Sequence, residues 1–304
     1  MNRGAMLAAS AGLMGCALIW GSMTPILKEL TTSIDLWLLS SMRYLPGLPV
    51  LWLAWWLVRR PSGAKRPARV GELASLGLAM AGFSVLYTFG VRHSHPVTAA
   101  IVLNTGPVIA AAMAWLLLRA KPVRGFWVAV ALSLSGAALV IAGAPGFRER
   151  GLGFEGGEPL LILAQIGWQW YSIRAQQWLG DRGQIGLSAI TTTVGGLWMV
   201  VLYSGIVAAG AGGALPTAVT PVQVGYLVWV SVFGVAIATL LWNFGVSRLS
   251  VPVASLHMTA SPVVAVVTAW IVGYPPTALQ VVGGAVVLSG IVYLQTRQLM
   301  KART

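Results

Sequence analysis

Apolar stretches of about twenty residues follow one another along almost the whole chain, separated by short loops that contain charged residues, proline or glycine. A helix needs about 20 apolar residues to cross the hydrocarbon core of a bilayer. Barrel strands are shorter, about ten residues of alternating polarity, which these stretches do not show. We therefore predict an all-α integral membrane protein with ten transmembrane helices. The stretches are 5–27, 35–58, 71–91, 97–118, 124–143, 159–179, 185–209, 222–246, 251–273 and 277–296.

The composition excludes a water-soluble globular domain. Of the 304 residues, 57% are hydrophobic and only 9% are charged, whereas soluble domains carry about 25% charged residues. The ten stretches leave little room for a separate soluble domain. The single cysteine, Cys16, excludes an internal disulfide and a four-cysteine metal site.

The formal net charge is +13, and the basic residues that cause it are distributed unequally between the two sides of the membrane. With both termini inside, fifteen Lys and Arg lie on the cytoplasmic side and four lie outside, as the positive-inside rule requires. We predict a multi-pass protein of the inner (plasma) membrane with cytoplasmic N and C termini, and no nucleic-acid partner. The cytoplasmic set is Arg3, Arg59, Arg60, Lys65, Arg66, Arg69, Arg119, Lys121, Arg124, Arg174, Arg182, Arg248, Arg297, Lys301 and Arg303, and the external set is Lys28, Arg92, Arg148 and Arg150.

The two halves of the chain repeat one another. At an offset of 155 residues, 89–91 matches 244–246, and Pro107 matches Pro262. Further identities pair Ala99, Ala110, Ala114 and Trp115 with Ala254, Ala265, Ala269 and Trp270. Because each half has an odd number of helices, the second half enters the membrane in the opposite sense. We predict two five-helix units, 1–147 and 148–304, in a 5+5 inverted repeat that forms one transport unit working by alternating access.

Prolines and small residues mark helix bends and helix contacts. Pro25, Pro107 and Pro262 are predicted as hinge or packing positions, since a proline frees backbone groups of the preceding turn. In the fifth stretch Gly125, Ala129, Ser133 and Ala137 recur every fourth residue. Such a row allows close helix packing in lipid.

The chain resembles the EamA-type transporters of the drug/metabolite transporter (DMT) superfamily. The matching pieces are Trp20-Gly21 with Pro25, Arg43-Tyr44, the string 99–107 leading to 114–116, its second copy from 252–255 to 261–262 and 269–270, and Gly283, Gly284 and Gly290. The resemblance covers nearly the whole chain and is greatest to the YddG-type exporters of aromatic amino acids. It implies a ten-helix exporter of small metabolites. The family usually places a Glu soon after each Trp-containing helix, where this chain has Arg119 and Gly273-Tyr274.

Aromatic residues deep in the stretches suggest a substrate surface. Trp20, Tyr87, Trp168 and Tyr171 lie away from the stretch ends, whereas Trp56 and its neighbours fit an interfacial belt. Gln165, Trp168 and Tyr171 share one helix face with Ser172. That face suits an aromatic side chain, although ordinary core packing explains each ring equally well.

Polar residues inside the stretches complete the candidate substrate-binding set: Asn104, Asn243, His257 and Thr259. Each needs a partner in lipid, which is either a polar ligand or another part of the protein. Arg43 is the clearly embedded charge. It either snorkels, caps a neighbouring helix or faces the substrate, and a structural role is favoured. Asp35 is expected to start the second helix.

These features favour a transporter over an enzyme. No catalytic residue, metal site or cofactor is predicted, because a membrane enzyme needs clustered His, Asp, Glu or Ser groups. The spacing G-x-G-x-x-G at 151–156 lacks the βαβ context of a nucleotide site. We predict export of small amphipathic metabolites, above all Phe, Tyr and Trp. The alternatives are a drug or other metabolite exporter of the same superfamily and a non-transporting membrane scaffold. The expected partners are a small-molecule substrate and the lipid bilayer, and a monomer suffices.

Overall fold

The structure is a computed structural model that describes residues 3–58, 66–144, 146–147, 151–212, 215–216, 218–271, 273 and 275–301. Regular structure within these residues is entirely helical, as predicted. Arg59, Arg60, Lys65, Arg148, Arg150, Arg303 and Tyr274 lie outside the described residues.

The helices follow the predicted apolar stretches, and several extend a few residues beyond the predicted bounds. They are α1 (Arg3–Leu30), α2 (Leu36–Met42), α3 (Leu48–Leu57), α4 (Val70–Arg92), α5 (Pro96–Asn104), α6 (Gly106–Leu118), α7 (Phe126–Ala142), α8 (Glu158–Leu179), α9 (Gly183–Ala208), α10 (Pro221–Val228), α11 (Ala238–Leu249), α12 (Val251–Met258), α13 (Ser261–Ile271) and α14 (Ala278–Lys301). A 3-10 turn, Leu45–Gly47, precedes α3, and a π-helix, Trp229–Ile237, joins α10 to α11.

Several helical stretches are long and apolar enough to cross a membrane. In the described part of the chain there are seven, with the shorter apolar helix α7 in addition. One of the seven, Glu158–Ala208, contains both α8 and α9. These two helices are separated by a 3-10 turn at Gly180–Arg182, and α9 begins at Gly183, whose φ is +72°. The chain is a multi-pass helical membrane protein, and ten crossings in a 5+5 repeat stay a prediction.

The chain forms two compact units. Unit 1 consists of Met1–Ser22, His93–Glu158 and Phe244–Thr304, and unit 2 of Met23–Arg92 and Pro159–Asn243. Each unit draws segments from both halves of the sequence. The boundary at 147/148 therefore concerns the sequence repeat and stays a prediction.

In unit 1, α7 and α14 touch through glycines. A Cβ added at Gly136 would lie 2.6 Å from the carbonyl oxygen of Gly283, and one added at Gly283 would lie 2.7 Å from that of Gly136. The small residues Ala129, Ser133 and Ala137 of α7 are buried. The row of small residues in the fifth stretch therefore packs as predicted, although Gly125 precedes the helix as its N-cap.

Unit 1 also contains two interrupted helices. The fourth stretch divides between α5 and α6 at Thr105, and the ninth divides between α12 and α13. Pro107 and Pro262 are each the second residue of the helix that follows, where a missing N–H costs nothing. The interruptions fall at corresponding positions of the sequence repeat, and α12 packs against α6. In contrast, α1 continues through Pro25 without a break.

In unit 2, the second stretch is not the single helix that the sequence predicts. α2 ends at Met42, and the chain passes through Arg43, Tyr44 and the 3-10 turn before α3 begins. Pro46 and Pro49 explain the interruption, because neither has an N–H for a helical hydrogen bond. The break places Arg43 beside a helix end instead of inside a continuous helix.

The eighth stretch is also irregular. Its middle is π-helical over Trp229–Ile237, and α11 extends to Leu249. Asn243, expected at the end of this helix, instead lies well inside α11 and is buried. The π-helix contacts the 3-10 turn of the second stretch: a Cβ added at Gly47 would lie 2.9 Å from the carbonyl oxygen of Ser231.

Asp35 starts α2, as predicted. Its Oδ1 accepts hydrogen bonds from the backbone N–H groups of Trp37 and Leu38, both at 3.0 Å. Asp35→Ala is expected to lower the free energy of unfolding by about 1 kcal/mol, because two N–H groups lose their acceptor. Chemical unfolding in detergent micelles measures this change. Asp35→Asn keeps an acceptor oxygen and is expected to unfold close to wild type, so an equal loss in both variants would contradict the capping role.

Candidate functional site

The predicted site residues divide between the two units. Unit 2 contains Tyr87, Gln165, Trp168, Tyr171 and Asn243. Unit 1 contains Trp20, Asn104, His257 and Thr259.

Trp168 lies at the centre of an aromatic cluster in unit 2. Its ring centroid is 4.9 Å from that of Phe83, 5.1 Å from that of Tyr171 and 5.9 Å from that of Trp242. Phe83 in turn stacks on Tyr87, one turn further along α4, at 5.4 Å. Aromatic pairs at these separations attract one another. We call these five residues the aromatic cluster.

A hydrogen-bond network borders the aromatic cluster. Asn243 Nδ2 donates to Ser188 Oγ at 2.9 Å and, more weakly, to Tyr171 Oη at 3.5 Å. The hydroxyls of Tyr171 and Thr191 are also 2.9 Å apart. Asn243 Oδ1 is buried and accepts no hydrogen bond from the described residues. The network therefore has a carbonyl acceptor left over at the edge of the cluster.

Ser172 ties α8 to α11. Its hydroxyl donates to the carbonyl of Trp168 at 2.7 Å and accepts from Trp242 Nε1 at 2.9 Å. Ser172 is fully buried, so its polar group is used inside the protein. The hydroxyl predicted on the substrate face thus holds the indole ring of Trp242.

Arg43 lies next to the other end of the aromatic cluster. Its side chain is 2% exposed, and its Cζ is 5.5 Å from the centroid of the Tyr87 ring. Nη1 donates to Thr88 Oγ1 at 3.2 Å. Nε is buried and finds no acceptor among the described residues. Arg43 was predicted to have a structural role, and its surroundings satisfy only part of its hydrogen-bonding capacity.

The candidates of unit 1 bond mostly to their own helices. Asn104 Nδ2 donates to the carbonyl four residues earlier at 2.7 Å, and Thr259 Oγ1 donates to the carbonyl three residues earlier at 2.7 Å. His257 Nδ1 lies 2.9 Å from the carbonyl oxygen of the residue four positions earlier, so this nitrogen has a partner within the protein. Trp20 is half-buried. The hydroxyl of Thr259 is satisfied within its own helix. Asn104 Oδ1 and His257 Nε2 are buried and find no partner among the described residues.

Three of the predicted residues in unit 2 form part of the aromatic cluster, and Asn243 borders it. Gln165 is half-buried one turn before Trp168. Sequence analysis missed Phe83, Trp242, Ser188 and Thr191 as members of this site. Phe83 carries a weak signal, since it lies four residues before Tyr87 on the same helix face.

Among the residues that the structure describes, no three His, Cys, Asp or Glu side chains are grouped so that they could hold a metal ion. The candidate site is thus a surface of rings, amides and hydroxyls with one guanidinium. Such a surface is suited to binding a small molecule that has an apolar part and a few polar groups.

A family model of EamA-like transporters matches the chain twice, over residues 7–142 and 156–296. This chain belongs to the EamA-like transporter family. It is therefore a membrane transporter of the drug/metabolite transporter superfamily, and this family is one of transporters rather than enzymes.

Several curated proteins are similar to this EamA-like transporter. An uncharacterized transporter of Archaeoglobus fulgidus is 24% identical over 284 residues, which cover 92% of this chain and 94% of that protein. A probable terminal-alkyne amino-acid exporter of Streptantibioticus cattleyicolor is 25% identical, covering 80% of each chain. The uncharacterized transporter YyaM of Bacillus subtilis is 21% identical and covers 69% of this chain and 68% of its own.

A solved crystal structure has the same fold. Its TM-score is 0.72, and the alignment covers 96% of both chains at 15% sequence identity. At this identity the similarity concerns the fold alone. It supports the helical architecture described above for this EamA-like transporter.

Proposed function

We propose that this transporter exports small amphipathic metabolites, above all the aromatic amino acids Phe, Tyr and Trp. The observation that carries the proposal is the aromatic cluster around Trp168, with its border of amide and hydroxyl groups. Flat rings provide contact area for another ring, and the few polar groups orient it. The substrate-binding residues are then Tyr87, Trp168, Tyr171 and Asn243, joined by Phe83 and Trp242.

The relative from Streptantibioticus cattleyicolor supports an amino acid as the substrate. It is a probable exporter of a terminal-alkyne amino acid, a compound that combines a zwitterionic head with an unsaturated side chain. An aromatic amino acid shares both features. The same site would therefore accept a range of amino acids with planar or unsaturated side chains.

Transport is proposed to occur by alternating access between two inverted five-helix repeats. The family model matches the first and second halves separately, which supports the repeat. The two interrupted helices of unit 1 occupy equivalent positions in the two halves of the sequence repeat. Interrupted helices are typical of transporter binding sites. The orientation proposed from the basic residues has both termini in the cytoplasm, in the inner membrane.

Flux into proteoliposomes tests the substrate. Purified protein in liposomes loaded with unlabelled Phe is expected to accumulate radiolabelled Phe, Tyr and Trp by exchange, because the rings of the substrate bind the aromatic cluster. Labelled Ala and Asp are the control substrates and should exchange more slowly. Aromatic flux equal to that of protein-free liposomes would overturn the proposal, and flux of cationic dyes instead would favour the drug exporter.

A further inference from the structure

Arg43 is a buried cation without a carboxylate partner in the described part of the chain. An ion pair joins Arg66 to Glu72, at the other end of α4. Asp35 is engaged as the cap of α2, two turns away from Arg43. A charged group buried in a membrane protein is costly and is normally paired with an opposite charge.

The position of Arg43 is held by neighbours on α4. Tyr44 Oη donates to the carbonyl of Met80 at 2.7 Å, and Ser84 Oγ donates to the carbonyl of Ser40 at 3.1 Å. Thr88 accepts from Arg43 Nη1. The three α4 residues recur every fourth position, so a single face of α4 anchors the interruption between α2 and α3. The guanidinium is thus fixed rather than free to reach the membrane surface.

α4 also contains Tyr87, the member of the aromatic cluster that lies beside Arg43. Tyr87 precedes Thr88, and its ring lies 5.5 Å from Arg43 Cζ. Tyr87 stacks on Phe83, which contacts Trp168. The guanidinium therefore lies at one end of a continuous row of rings, which is the arrangement that an aromatic carboxylic acid would match.

A guanidinium is suited to a carboxylate because its planar N–H groups match the two oxygens. The buried Nε has no acceptor among the described residues, so a donor remains for a ligand. We infer that Arg43 binds the carboxylate of the substrate while the aromatic cluster binds its ring. This inference rests on the proposed function and adds to it that the carboxylate, rather than the ammonium group, is the recognised part of the head.

Binding by the wild-type protein tests the inference without any mutation. Thermal stabilisation in detergent is read for phenylpropanoate, which has a ring and a carboxylate, and for phenethylamine, which has a ring and an ammonium group. Half-maximal stabilisation is expected at a phenylpropanoate concentration at least about tenfold lower, as loss of a hydrogen-bonded charge pair predicts. Equal stabilisation by both compounds, or none by phenylpropanoate, would overturn the inference.

Substitutions at Arg43 then test whether this residue causes the preference for phenylpropanoate. Arg43→Met is expected to remove the preference for phenylpropanoate, and Arg43→Lys to weaken it, because a lysine lacks the planar fork. The control is Arg119→Met, since Arg119 also lies over an aromatic ring, Trp115 at 5.2 Å, but is exposed. If Arg43→Met does not fold, Arg43→Lys provides the result. An unchanged preference in the folded Arg43 variant would refute the assignment.

These measurements separate the two proposals. Stabilisation by phenylpropanoate that depends on Arg43, in a protein without aromatic amino-acid flux, would support the carboxylate site and refute the transport proposal. Flux of aromatic amino acids without any preference for the carboxylate compound would support the transport proposal and refute the carboxylate site.

Discussion

Trp168→Ala is expected to reduce exchange of aromatic amino acids by about tenfold or more. Trp168 lies at the centre of the aromatic cluster, and a substrate ring that packs on it loses a contact worth about 0.5–1.5 kcal/mol together with the apolar area of the indole. A loss of about 1.4 kcal/mol corresponds to a tenfold change. The measurement is the initial rate of labelled Phe uptake into proteoliposomes, normalised to the amount of protein incorporated.

Two variants separate a binding role of Trp168 from a packing role. Trp56→Ala removes a tryptophan that is 62% exposed and is expected to leave the exchange rate near that of wild type. Trp168→Phe keeps an aromatic ring at the centre of the cluster and should retain more of the flux than Trp168→Ala. Equal losses in Trp168→Ala and Trp56→Ala would show that the cluster is not a substrate surface.

Gly136→Ala is expected to destabilise unit 1 by about 1–3 kcal/mol, the usual range for overpacking a close contact. The added methyl would meet backbone atoms of α14, the carbonyl oxygen of Gly283 and the N of Val287, both at 2.6 Å. Backbone atoms cannot rotate away as a side chain can, so α7 and α14 must separate. Thermal unfolding in detergent measures the effect.

Gly205→Ala is the matched control for this substitution. Gly205 lies within α9, and a Cβ added there would have no heavy atom within 4 Å. Its replacement is expected to be neutral or stabilising by up to about 1 kcal/mol, the difference in helix propensity. Equal destabilisation of both variants would show that the glycine contact between α7 and α14 contributes nothing specific.

Those parts of the structure that depend on local sequence were predictable. Runs of apolar residues predicted the helices, Asp35 predicted the start of α2, and the row containing Ser133 predicted a packing face. Each of these signals lies within one or two turns of the residue concerned. The membrane class follows from the same kind of signal, whereas the family resemblance depended on the order and duplication of motifs along the whole chain.

The candidate site was less predictable because it depends on contacts between distant segments. Trp242 bonds to Ser172, 70 residues away, and no local pattern relates the two. The π-helix before α11 adds a residue to each turn and so shifts the face on which Trp242 and Asn243 lie. A regular period of 3.6 residues, applied to the whole eighth stretch, therefore does not predict that Trp242 lies beside Ser172.

The anchoring of Arg43 has a consequence for biosynthesis. Its hydrogen-bond acceptor, Thr88, lies on a helix that leaves the ribosome after the second stretch has been made. An arginine at the centre of a lone helix costs about 2.5–3.5 kcal/mol during insertion. The apolar residues of α3 offset this cost until α4 has been synthesised and inserted. The second and third stretches therefore reach their stable state as a helical pair, and the newly made chain must keep them adjacent.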